Sequence, residues 1–182
     1  MKLLYSDPFV TAFLFFFCIK ASYTDLRRMR IADDVNFFAI ISGIGFHAVC
    51  IKNVNALFGA LVGFALLLIP AVIIGAQMGG DIKFCAGLGA WIGASNLLPV
   101  LIAAIIIFTL YAILTHHKAK DAIPFAPFLS CGVGLCMVFA AYMMRDMNIF
   151  MAGATIPILV AFMSARIFSN QNLNVERRVC LW

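Results

Sequence analysis

From Ala56 to Ala76 the chain carries no charged side chain at all. A run of that length, roughly 20 residues, is what a helix needs to cross about 30 Å of hydrocarbon. Because hydrocarbon offers no partner to a backbone N–H or C=O, a segment buried there must satisfy its own hydrogen bonds, which a helix does. Several other runs have the same character. With 64% hydrophobic and 12% charged residues and a mean hydropathy of +1.04, the chain has too few polar residues to cover a soluble globule. The expected fold class is therefore all-α, a polytopic transmembrane bundle of six to seven spans. Residues 1–182 form a single integral-membrane domain with no room for a separate soluble one. Its core covers about residues 8–144, followed by a further span at about 149–168 and a basic tail.

Taken in order, span one runs from about Pro8 to Ser22 and ends in a charged connection, Tyr23 to Asp34. Span two follows to Ile51, and span three covers Ala56 to about Ala76, with Gly59 and Gly63 as a small-residue packing face. From Ile82 to Thr115 the apolar run exceeds one span, and Ser95, Asn96 and Pro99 supply the expected break between spans four and five. Span six covers about Phe128 to Met144, and a seventh Ile149 to Phe168. The N-terminal run, Pro8 to Ile19, has an acidic residue at Asp7 and no small-residue cleavage site, so it reads as a retained span and not a signal peptide.

The basic residues test this count. If the connection holding Arg27 is cytoplasmic and spans alternate, then Lys20, Arg27, Arg28, Arg30, Lys83, Lys118, Lys120, Arg166, Arg177 and Arg178 all lie inside, leaving Lys2, Lys52 and Arg145 outside. Merging spans four and five would send Lys118, Lys120 and the tail outside. The net charge of +5 thus fits anionic headgroups, so membrane lipid is an expected partner; no basic face with interleaved aromatics points to nucleic acid. The cysteines, Cys18, Cys50, Cys85, Cys131, Cys136 and Cys180, form no CxxC pair and read as packing residues.

Within this apolar frame, Asp81 and Lys83 interrupt the stretch Gly75 to Gly93. An Asp at the edge of hydrocarbon costs on the order of 2.5–3.5 kcal/mol on insertion scales, which makes it a functional-site hypothesis. The blander reading makes Asp81 the N-cap of a helix starting at Ile82. Gly79 and Gly80 leave room for another backbone beside Asp81, and Gly87, Gly89, Ala90, Gly93 and Ala94 keep the following helix narrow. The alternation of spans puts Asp25 on the same face as Asp81. Two facing carboxylates can share one proton, one acting as base toward water and the other as acid toward a peptide carbonyl. That chemistry needs neither metal nor cofactor, and no HExxH, phosphate loop or Ser/His/Asp set competes with it.

Asp25 after a first span with an Arg-rich connection, Gly79-Gly80-Asp81-Ile82-Lys83-Phe84, and Ile123-Pro124-Phe125-Ala126-Pro127-Phe128 together resemble the type IV prepilin peptidases. The likeness is strongest to small members that serve tight-adherence or Flp-type pili and lack an N-terminal methyltransferase region. It implies an aspartic endopeptidase of the bacterial inner (cytoplasmic) membrane that removes the leader of prepilin-like proteins at the cytoplasmic face. The implied substrate carries a short basic leader before an apolar helix. By that resemblance Asp25 and Asp81 are the catalytic pair, Gly79 and Gly80 admit the substrate backbone, Lys83 positions or tunes the site, and Pro124, Phe125 and Pro127 shape it. The chain departs from the family pattern where Met78 replaces the first Gly of G-x-G-D and Ala32 replaces a proline. Two other readings stand beside this one. They are an inactive relative that scaffolds pilus assembly, and an ion or proton carrier using Asp81 and Lys83.

Overall fold

The computed structural model describes residues 8–51, 54–75, 78–115, 123–144 and 153–165. Among these, every regular element is helical. The helices are α1 (Pro8–Arg28), α2 (Asp33–Phe46, continued by a π-helical turn, His47–Ile51), α3 (Asn55–Ile74), α4 (Gly79–Ile92), α5 (Ala94–Leu114), α6 (Ala126–Met144) and α7 (Gly153–Ala165). Three of them, at Phe9–Arg28, Asn55–Ile73 and Ala94–Leu114, are long and apolar enough to cross a membrane, while α6 and α7 are shorter apolar helices. Large apolar side chains such as Phe16, Phe37, Phe58, Ile73 and Ile106 point outward. A soluble protein does not expose so many; a bundle bathed in lipid does. The all-α membrane bundle expected from the runs is the fold observed.

The central helix is also one of the shorter ones. α4 has 14 residues, about 21 Å at 1.5 Å per residue, and from Phe84 to Ile92 every residue is buried. It can be central because its neighbours approach at backbone distance. A Cβ built on Gly59 of α3 would overlap the Gly89 carbonyl of α4, one on Gly89 would overlap the Gly59 carbonyl, and one on Gly63 would lie 2.5 Å from the Cys85 carbonyl. The expected small-residue face of span three is thus the seat of α4. Near its C-terminal end α4 is pinned by Trp91, whose indole N–H donates to the Ala39 carbonyl at 2.9 Å and whose ring stacks on Phe13 with centroids 4.0 Å apart.

Two expected boundaries move. The break between spans four and five falls at Gly93, at φ 76° and ψ 161°, and not at Ser95, Asn96 or Pro99. Only glycine adopts that conformation cheaply. Asn96 instead repairs the break, its side-chain amide donating to the Ile92 carbonyl at 2.9 Å, and Pro99 is accommodated inside α5. The first helix also continues well past Ser22. Thr24 returns its hydroxyl to the Lys20 and Ala21 carbonyls, Arg27 and Arg28 in the last turn suit the helix dipole, and the helix ends before Met29 at φ 52°. Asp25 therefore belongs to a helix and not to the connection. Of the expected seventh span, Gly153–Ala165 is described and is helical; residues 149–152 and 166–168 lie outside the described residues.

Candidate active site

The buried face of α1 reads Val10, Leu14, Phe17, Cys18, Ala21, Ser22, Asp25, a succession of three- and four-residue steps. Asp25 lies at the far end of that stripe beside the buried Leu26, and is 5% exposed. Its partner comes from the start of α6. The Ala126 N–H donates to Asp25 Oδ2 at 3.0 Å, and the Phe125 amide is directed at the same carboxylate.

The local sequence accounts for this arrangement. A helix begins with N–H groups that lack an intrahelical acceptor. In α6, Pro127 has no N–H to leave unpaired, and the amides of Phe128 and Leu129 turn back to the Phe125 carbonyl at 3.0 and 3.2 Å. That leaves Ala126, which Asp25 takes. The buried Phe125 packs its ring edge-on against Phe108 with centroids 5.6 Å apart, fixing the entry to the helix, and Pro124 is half-buried beside it. About one turn deeper, the Ser22 hydroxyl donates to Ser130 Oγ at 2.8 Å and Ser130 Oγ in turn to the Cys18 carbonyl at 3.2 Å. Both serines are fully buried. Helices α1 and α6 are thus joined twice by polar contacts in an apolar surrounding.

Asp81 is the third residue of α4, which starts at Gly79 with Met78 at its cap position and no side-chain cap bond. The N-cap reading of Asp81 is therefore corrected. Among the described residues its Oδ1 is shielded from solvent without a hydrogen-bond partner, and Asp25 lies within reach of its charge. The two carboxylates expected to share one face lie at the same end of the bundle. Gly80 packs against Ile31, where a Cβ would lie 3.3 Å from the Ile31 nitrogen, whereas a Cβ on Gly79 would meet nothing within 4 Å. The first turn of α4 is therefore open at Gly79 and closed at Gly80.

Lys83 lies elsewhere. Its ammonium pairs with Asp33 of α2 at 2.6 Å, with side-chain exposures of 48% and 77%. An ion pair so exposed contributes roughly 0–1 kcal/mol, so Lys83→Gln is expected to leave thermal unfolding in detergent within about 1 kcal/mol of wild type. Among the described residues no group of three or more His, Cys, Asp or Glu side chains comes together as metal ligands would.

Three side chains that sequence reasoning passed over support this end of the bundle. Ser22 and Ser130 are two. The third is Asn36, 1% exposed, whose amide nitrogen donates to the Gly80 carbonyl at 3.4 Å while its Oδ1 is buried without a partner. A signal was available for Ser22, three residues before Asp25 on one helical face. Asn36 stands three after Asp33, the same spacing, but only the packing of α2 on α4 gives it a role.

Comparison with known proteins adds to this geometry. The model of the type IV leader peptidase family matches residues 12–113, more than half of the chain. This chain belongs to that family. The prepilin leader peptidase/N-methyltransferase of Aeromonas hydrophila is 30% identical over 125 residues, a stretch covering 62% of this chain and 43% of that protein. The chain thus matches less than half the length of this curated relative. No solved structure matches. Asp25, Gly79, Gly80, Asp81 and Lys83 all fall inside the segment matched to the leader peptidases, and Pro124, Phe125 and Pro127 beyond it.

Proposed function

We propose that this leader peptidase family member is a membrane-embedded aspartic endopeptidase that removes the basic leader of prepilin-like proteins at the cytoplasmic face of the inner membrane. The observation that supports the reading is the placement of Asp25 and Asp81, from helices far apart in sequence, within reach of each other's charge at one end of an apolar bundle. Two carboxylates that act on each other at short range titrate as a unit and hold one proton between them. The ionised partner takes a proton from water, the resulting hydroxyl attacks the scissile carbonyl carbon, and the protonated partner gives its proton to the developing oxyanion. Collapse of the tetrahedral intermediate then breaks the C–N bond, with a proton delivered to the leaving amine. The Ala126 amide donates to Asp25 Oδ2, which orients the carboxylate. The open surface at Gly79, in the first turn of α4, leaves room for an extended substrate backbone to approach this end of the bundle.

The resemblance to small tight-adherence or Flp-type members rests on the GGDIK and IPFAP stretches at their spacing, and supports a multi-pass protein with one peptidase domain. The carrier reading relied on Asp81 and Lys83 as an interior pair. The exposed bond of Lys83 to Asp33 weighs against it. Co-expression with a prepilin whose leader loss changes its electrophoretic mobility tests the proposal. Processing by the wild-type chain is the expected result, and intact precursor with every prepilin offered would overturn it.

A further inference from the structure

One face of α2 reads Asp33, Asp34, Asn36, Phe37, Ile40, positions that line up along a helix. Together with Lys83 of α4 these residues line a groove of about 510 Å³. It changes character along its length, acidic where α2 begins and apolar about two turns further on, over roughly 10 Å. Phe37 is 67% exposed, so the groove is open on the outside of the bundle. Its inner side reaches the candidate active site, because Asn36 holds the Gly80 carbonyl, one residue before Asp81. A buried amide oxygen without a donor is costly, and Asn36 Oδ1 is such an atom.

A second groove, about 360 Å³, lies on the other side of α2 between Phe13, Phe16, Lys20 and Phe38, and shares Asp34. It holds a cation, Lys20, as well as the shared Asp34. In the first groove Lys83 is spent on Asp33, while Asp34 has no ion pair among the described residues.

We propose that the α2–α4 groove is the docking site for the substrate's leader and the start of its apolar helix. This rests on the peptidase reading and adds the surface that selects the substrate. Asp34, with Asp33, attracts the cationic side chains of the leader. Phe37 and Ile40 take the first apolar residues after the cut, and an N–H of the extended backbone reaches Asn36 Oδ1. A segment that is cationic and then apolar matches the groove in the same order as its lining, and complementary charge of this kind acts mainly on substrate selection.

The test uses the full chain in membranes with single-span reporter proteins. Each has a six-residue leader ending in Gly before a Leu/Val-rich helix, and the leader carries three Lys, three Gln or three Glu. Asp34→Lys is expected to raise KM for the Lys leader about tenfold with kcat little changed and to improve the Glu leader relative to wild type; Asp34→Asn, a milder change at an exposed position, raises KM about threefold. Benzoylphenylalanine placed at Phe37 is expected to capture the Lys reporter, and at Phe38 not to. Leader preference unchanged by Asp34→Lys, or capture at Phe38 and not at Phe37, overturns the docking proposal even where cleavage is normal. Charge-dependent capture at Phe37 without any cleavage supports the groove and counts against the peptidase reading instead.

Discussion

Asp25→Asn and Asp81→Asn are each expected to abolish leader cleavage on a mobility-shift assay, at expression equal to wild type. Asn keeps the size of the side chain and removes the titrating oxygen. At position 25 it also keeps a carbonyl oxygen for the Ala126 N–H, so the junction of α1 and α6 survives and the loss reads out chemistry. Asp81 Oδ1 has no hydrogen-bond partner among the described residues, so replacing that atom removes no contact described there. Removing a positioned acid or base costs about 10²–10⁴ in rate. Because the two carboxylates act as one unit, the double variant is expected to be little slower than either single one. Cleavage near the wild-type rate by either variant would show that the pair is misassigned. Asp33 and Asp34 are the next carboxylates along the chain, but Asp33 is bound to Lys83, and both are exposed on the first turn of α2.

The other large effect concerns the fold. Gly89→Ala is expected to destabilise the bundle by about 3 kcal/mol, at the upper end of overpacking costs, because the added methyl meets the Gly59 backbone carbonyl and a backbone cannot turn aside as a side chain can. Gly59→Ala places its methyl against the Gly89 carbonyl and is expected to cost as much. Gly79→Ala is the internal control. Its methyl enters open space at the first position of α4, where replacing glycine gains about 0.4–1 kcal/mol through the unfolded chain. Thermal unfolding in detergent separates the three. Equal stability of Gly89→Ala and Gly79→Ala would mean that α3 and α4 do not cross where their glycines meet. If Gly79→Ala stays folded yet cleaves slowly, the open surface at Gly79 is where the substrate backbone passes.

Much of this protein is set by patterns that act locally or through the membrane. The apolar runs required helices because hydrocarbon leaves a backbone no other partner. The distribution of Lys and Arg required the long run after Ile82 to be two helices, and Gly59 and Gly63 marked a close-packing face before any partner was known. That Asp25 and Asp81 share one end of the bundle followed from counting spans. What needed the tertiary structure was everything decided by a contact between distant residues. The helix break could not be assigned by composition among Gly93, Ser95, Asn96 and Pro99, since each interrupts a helix on some occasions, and the left-handed backbone at Gly93 emerges only when α4 and α5 pack back against α3. Asp25 reads locally as an interfacial charge beside arginines; it becomes a buried carboxylate because α6 brings it an amide with no helical acceptor. Lys83 stands two residues from Asp81, a spacing that points the two side chains in different directions around a helix, and so its partner is Asp33 on a neighbouring helix. Asn36, an unremarkable polar residue in a span, acquires its place from the packing of α2 on α4. Local pattern determines which segments are apolar enough to cross a membrane, while the pairing of polar groups inside depends on which helix faces which, a matter settled only when the whole bundle has closed.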